Sequence, residues 1–233
     1  MDTKKAQSTK TRKIAAISAG ALVVGIGLTY TLASWNDSEW VWGGADGLPG
    51  IGTETFNVQQ NTTSPFDIAD ANWVDRETNP GDELTFSTGA LALTPGDTVY
   101  APVSLRTVEG SMAGDLDLQG AVAAEGNPAP QNDTALWDVV QVSVWTHSGN
   151  TPLDCDATGV GSDWTQIVTN SSLDTSASQT QALDATEDAD TPGVAQNYCF
   201  AITLPESPAG VDDIKDLQGL QISPAWEFQA ESN

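Results

Sequence analysis

Cys155, Cys199 and His147 carry all of the thiol and imidazole chemistry in this chain. An even cysteine count in an oxidising compartment predicts one disulfide, Cys155 to Cys199. It would tie the loop after a strand at 139–146 to a strand at 198–204. The alternative is two buried, unpaired thiols. Tetrahedral zinc needs four ligands and only His147 could join the two sulfurs, so no metal site is predicted. His147 follows Val144-Trp145-Thr146 beside a Ser148-Gly149-Asn150 turn. Without a positioned partner, a histidine there reads as a solvated turn residue and not as a general base. Neither a Gly-x-Ser-x-Gly elbow nor a His-Glu-x-x-His pair occurs. No catalytic residue is assigned, and the chain reads as a non-enzyme.

Carboxylates are plentiful: Asp115/Asp117, Asp154/Asp156, Asp184/Glu187/Asp188/Asp190 and Asp212/Asp213. Such pairs can serve glycoside hydrolysis or hold calcium loosely through oxygen ligands. In so acidic a chain they also arise by chance, and no Asp-x-Asp-x-Asp-Gly loop is present. No cofactor is predicted beyond loose calcium. Asn61-Thr62-Thr63, Asn132-Asp133-Thr134 and Asn170-Ser171-Ser172 fit the glycosylation sequon, mostly by coincidence in a Ser/Thr-rich chain.

Charge narrows the partners. The 233 residues hold 8 basic and 32 acidic side chains. Lys4, Lys5, Lys10, Arg12 and Lys13 precede residue 14, and only Asp2 among the acids precedes Ser34. From Ser34 onward the formal charge is therefore −28. Such a surface repels phosphates and anionic headgroups, so nucleic acid is not an expected partner. The basic start leads into nineteen uncharged residues, 14–32. Thr31 and Ala33 place small residues at the minus-three and minus-one positions of a cut between Ala33 and Ser34. This is the layout of a secretory signal helix over residues 1–33. Nineteen residues is also the length of a bilayer span, so an uncleaved anchor is the alternative, and the membrane is met only through this segment.

The junction Thr31-Leu32-Ala33-Ser34-Trp35-Asn36-Asp37-Ser38-Glu39 resembles the alternate signal peptides cut by the SipW type of signal peptidase. There a small-residue cut is followed by an aromatic residue and an Asn-Asp or similar acidic pair. The best-known members are TasA and camelysin-like proteins, secreted β-sandwich subunits of extracellular fibres. Leu93-Thr94-Pro95-Gly96-Asp97 resembles a Leu-x-Pro-Gly-Asp turn of the same family. The first match covers about 30 residues and the second five. Trp35 stands where phenylalanine is commoner. The metalloprotease label attached to some camelysin-like proteins does not carry over, because this chain lacks the histidines.

The remaining chain reads as β. Val99, Ala101, Val103 and Leu105 share one face; Val140, Val142 and Val144 another; Tyr198, Phe200, Ile202 and Leu204 a third; Trp226, Phe228 and Ala230 a fourth. Period two with one apolar face marks half-buried strands. Weaker strands are expected at 55–59, 84–86, 91–93, 116–122 and 164–168, and one helical turn at 212–220. Turn formers separate them, among them Asn79-Pro80-Gly81-Asp82 and Pro95-Gly96-Asp97. Eight or nine such strands predict an all-β, antiparallel two-sheet sandwich of jelly-roll type over residues 53–233. Segments 125–134 and 173–193 read as surface loops.

Residues 34–52 stand apart as a Trp-rich segment followed by a glycine-rich linker. Most of the eight tryptophans suit a core, but Trp35, Trp40 and Trp42 begin the mature chain ahead of that linker. Together with Asn36 and Asp37 they form a candidate donor strand, able to complete the open edge of a neighbouring subunit. It could equally fold back on its own domain. The resemblance thus implies a secreted, cell-surface, self-assembling subunit of a fibre or biofilm matrix. The alternatives are a monomeric secreted binding module for carbohydrate or protein, and a membrane-anchored surface protein.

Overall fold

The computed structural model describes residues 55–126, 132–151, 153–186 and 190–233, together with the backbone of 44–45 and 48–49. The signal helix, the cut at Ala33/Ser34 and the candidate donor strand lie outside the described residues. Two compact units divide the chain, Met1–Gly52 and Thr53–Asn233. In the first, β1 (Gly44–Ala45) and β2 (Leu48–Pro49) form a minimal hairpin where the sequence suggests only a linker.

The second unit is mostly β, and all its strand ladders are antiparallel. Its larger sheet has the order β3 (Val58–Asn61), β4 (Thr98–Thr107), β10 (Gln196–Thr203), β7 (Gln141–Ser148), β8 (Thr165–Ser171). Beta-branched and aromatic residues fill these strands, as a pleated surface favours. The central strand β10 is buried along seven of its eight residues, because it is paired on both edges and covered on both faces. A smaller sheet has the order β12 (Phe228–Ser232), β5 (Gly114–Leu118), β9 (Gln181–Leu183). Next to it, β6 (Val122–Ala123) pairs with β11 (Pro224–Ala225). The apolar faces of the two main sheets meet in one cluster. Val103, Val142 and Phe200 come from the larger sheet, and Leu116, Leu118 and Leu183 from the smaller.

Several local expectations are corrected. The strand expected at 116–122 is split into β5 and β6 at Gly120. A Cβ at Gly120 would lie 2.0 Å from the Asp174 carbonyl oxygen, and the chain bends there to admit the 173–177 segment. Residues 84–86 form no strand, and Ala90–Ala92 is a 3₁₀ turn following Gly89 at φ 105°. The helical turn expected at 212–220 is a 3₁₀ turn, Ile214–Leu217, and α1 (Thr134–Trp137) starts at the last residue of the 125–134 segment read as loop and runs through residues for which no element is expected. The 173–193 tract is not simply a surface loop. Leu173 and Leu183 are fully buried, and β9 adds a strand to the smaller sheet. Most of the tract's described polar residues are exposed, on a segment pinned by two leucines.

Candidate functional site

The disulfide is present. Cys155 and Cys199 are bonded with their Cα atoms 5.4 Å apart, and Cys199 sits in the middle of β10, fully buried. The bridge fastens the 153–163 loop onto the larger sheet. The loop is also ordered from within: Asp156 Oδ1 accepts from the Thr158 hydroxyl and from the main-chain N–H groups of Thr158 and Gly159. Those bonds, the Thr158 hydroxyl first, hold the Asp156 carboxyl below its usual pKa.

His147 lies on β7 opposite Asn197, with its ring 5.8 Å from that of Trp164. Its main-chain oxygen accepts from Asn197 Nδ2. No carboxylate hydrogen-bonds its imidazole among the described residues. Tyr198 does not supply a base either, because burial pushes its phenol well above the ordinary range.

The carboxylate pairs do not converge. Asp115 and Asp117 lie on the outer face of β5, and Asp117 Oδ1 accepts from the Thr180 hydroxyl at 2.5 Å. Asp213 caps the Ile214–Leu217 turn through Lys215 N–H. Glu187 and Asp188 lie outside the described residues. Among the described residues no group of three or more His, Cys, Asp or Glu is arranged to hold a metal ion. Asn61, the first sequon asparagine, is buried, and its amide is used at both ends: Nδ2 donates to Asp67 O and Oδ1 accepts from Thr63 N–H.

The Leu93-Thr94-Pro95-Gly96-Asp97 motif has a clear local role. Asp97 carboxylate accepts from Thr94 N–H and from the Thr94 hydroxyl, both at 2.7 Å, which holds its carboxyl below the usual range. Gly96 has φ 93°, a left-handed value that suits glycine. Gly96 N–H donates to Leu204 O, and Leu204 N–H donates to Asp97 O, so the turn is locked onto the chain just past β10.

A groove of about 1890 Å³ lies beside this turn and was not foreseen. Its floor is the apolar face of β4 and the end of β10, through Val99, Val103, Leu105 and Ile202. One wall is the 76–95 segment, with Leu84, Phe86 and Leu93 half-buried against the core. The other is the 217–230 segment, with Trp226 and Phe228. Leu91, 92% exposed, stands on the rim. The charged lining is Glu77, Asp82, Glu83, Glu125 and Glu227 against one base, Arg76, whose Nε is held 2.6 Å from Asp82. A sequence signal for it does exist: the thirteen residues 84–96 carry no charge in a chain dense with acids.

No protein-family model matches the chain, and no curated protein matches it in sequence.

Proposed function

We propose that this protein is a secreted, non-enzymatic structural subunit of an extracellular fibre or surface matrix, built by passing a strand from one copy to the next. The observation that carries this reading is the apolar groove between the 76–95 and 217–230 segments. A five-stranded sheet and a three-stranded one share a single core, and beside it half-buried apolar side chains such as Leu84, Phe86, Trp226 and Phe228 line a trough that an added strand would cover. Exposed apolar surface rimmed by polar groups marks an interaction site. In this proposal the domain is a jelly-roll type sandwich, residues 1–33 form a signal helix, and a SipW-type peptidase cuts between Ala33 and Ser34. Trp35, Trp40 and Trp42 would then lead a free N-terminus carrying the aromatic side chains that such a trough accepts.

The sparse polar chemistry fits the same reading. Among the described residues no carboxylate hydrogen-bonds His147, and the carboxylates are dispersed. Deleting residues 34–42 from the exported protein is expected to leave a folded monomer that does not polymerise. Electron microscopy and light scattering check this, and fibres of normal length from that variant overturn it. Sequencing the N-terminus of the exported form tests the cut itself.

A further inference from the structure

We propose that the outer edge of β12, unpaired among the described residues, is the acceptor for residues 34–42 of a second copy, and that the amides of Phe228, Ala230 and Ser232 make the bonds. This rests on the strand-passing reading above and assigns its binding edge. In the ladder between β12 and β5, Gln119 N–H donates to Glu227 O and Asn233 N–H donates to Ala113 O. These two bonds fix the alternation. Residues 227, 229, 231 and 233 direct their N–H and C=O groups toward β5. Residues 228, 230 and 232 direct theirs the opposite way. β12 ends its sheet, and no strand among the described residues pairs with that outer row.

The side chains agree with the backbone. Trp226, Phe228 and Ala230 pack against the core and line the groove, while Glu227, Gln229 and Glu231 are exposed. The Phe228 ring is 4.8 Å from Tyr198, and Trp226 is 4.9 Å from Phe200. An added strand would therefore gain main-chain bonds from one side and apolar contacts from the floor, which is how sheet augmentation obtains affinity and register. Length also fits. The β11–β12 stretch 224–232 is nine residues, and so is 34–42. Pro224 has no N–H to offer, so that position adds no donor to the outer row.

An edge strand left open and apolar invites pairing, and proteins that avoid it place charge or proline on that edge. On β12 the charge is confined to the solvent face, at Glu231 and the preceding Glu227, while Phe228 and Ala230 on the face toward the core are uncharged.

Hydrogen exchange resolved to single amides tests the assignment, on the exported protein before and after assembly. On assembly the amides of 228, 230 and 232 should slow by at least about tenfold, while those of 229 and 231 are already protected in the monomer. The synthetic peptide 34–42, added to protein lacking that segment, should produce the same alternating pattern. Ala230→Pro removes one outward donor and leaves the β5 ladder intact, a position where edge strands accept proline. It should give a folded monomer with its assembly lost. If Ala230→Pro unfolds, the exchange pattern alone decides. Assembly that requires 34–42 but leaves 228, 230 and 232 unprotected overturns the β12 assignment and leaves strand passing intact. Protection of these amides in the dilute monomer means the strand closes its own domain, and overturns the second-copy occupant. Assembly that persists without 34–42 overturns the strand-passing reading beneath both.

Discussion

Two acidic side chains show what single residues contribute in a chain with so many carboxylates. Asp97 and Asp156 are solvent-exposed, yet each accepts several local hydrogen bonds and has a lowered pKa. A carboxyl whose folded pKa lies below its unfolded value, about 3.9 for aspartate, stabilises above that value. Its contribution is lost as pH falls through the lowered folded pKa. Asp97→Ala should therefore lower the melting temperature at pH 7. The difference from the parent protein should shrink as the pH drops below about 4. Thermal melts across that range check both statements. The disulfide acts at the same scale. Its 44-residue separation implies about 4 kcal/mol from loop closure in the chain-entropy model. A Cys155→Ser, Cys199→Ser double variant should lose roughly that in a denaturant titration. This pairing was legible in the sequence because only two cysteines exist. The buried, double-bonded role of Asn61 was not, since a sequon gives no sign of burial.

Elements were legible where one face of a strand is apolar and were lost where burial is discontinuous. The alternation in β4, β7 and β10 could be read directly, because those strands lie in the middle of a covered sheet. The 173–193 tract misled because two leucines do the anchoring and the residues between them are Ser, Thr, Gln and Asp. Leu173→Ala should destabilise by about 2–5 kcal/mol, as for any fully buried leucine, and Ala177→Ser at a half-buried position by much less. Equilibrium unfolding in urea compares them. The split between β5 and β6 was invisible for a related reason. Gly120 is needed for close approach to Asp174, a contact between segments 54 residues apart. Gly120→Ala should cost about 1–3 kcal/mol by overpacking. The groove escaped for another reason: its walls come from the 76–95 and 217–230 segments, far apart in the chain, and the one local sign of it is the uncharged run 84–96 and not a periodicity.

At the scale of the whole molecule, charge works against the assembly that the groove invites. From Ser34 onward each copy carries −28, and residues 34–42 add Asp37 and Glu39 to the acids already on the groove rim. Within each copy Glu231 also faces Asp115 across the β12–β5 ladder, so the proposed acceptor strand is itself part of an acidic face. Bringing two such copies together must therefore depend on screening. The Debye length falls from about 30 Å at 0.01 M to about 3 Å at 1 M salt, which leaves the apolar contacts and main-chain bonds intact while removing most of the repulsion. The rate of assembly, followed by light scattering, should rise by roughly tenfold or more as sodium chloride is raised over that range. Sodium chloride is the right probe, since sulfate strengthens apolar burial by itself. Replacing Glu227 and Glu231 by glutamine should raise the low-salt rate and flatten the salt dependence, because those two side chains flank the proposed acceptor row. A rate that is flat in salt for both proteins would mean that copies meet through a surface remote from β12.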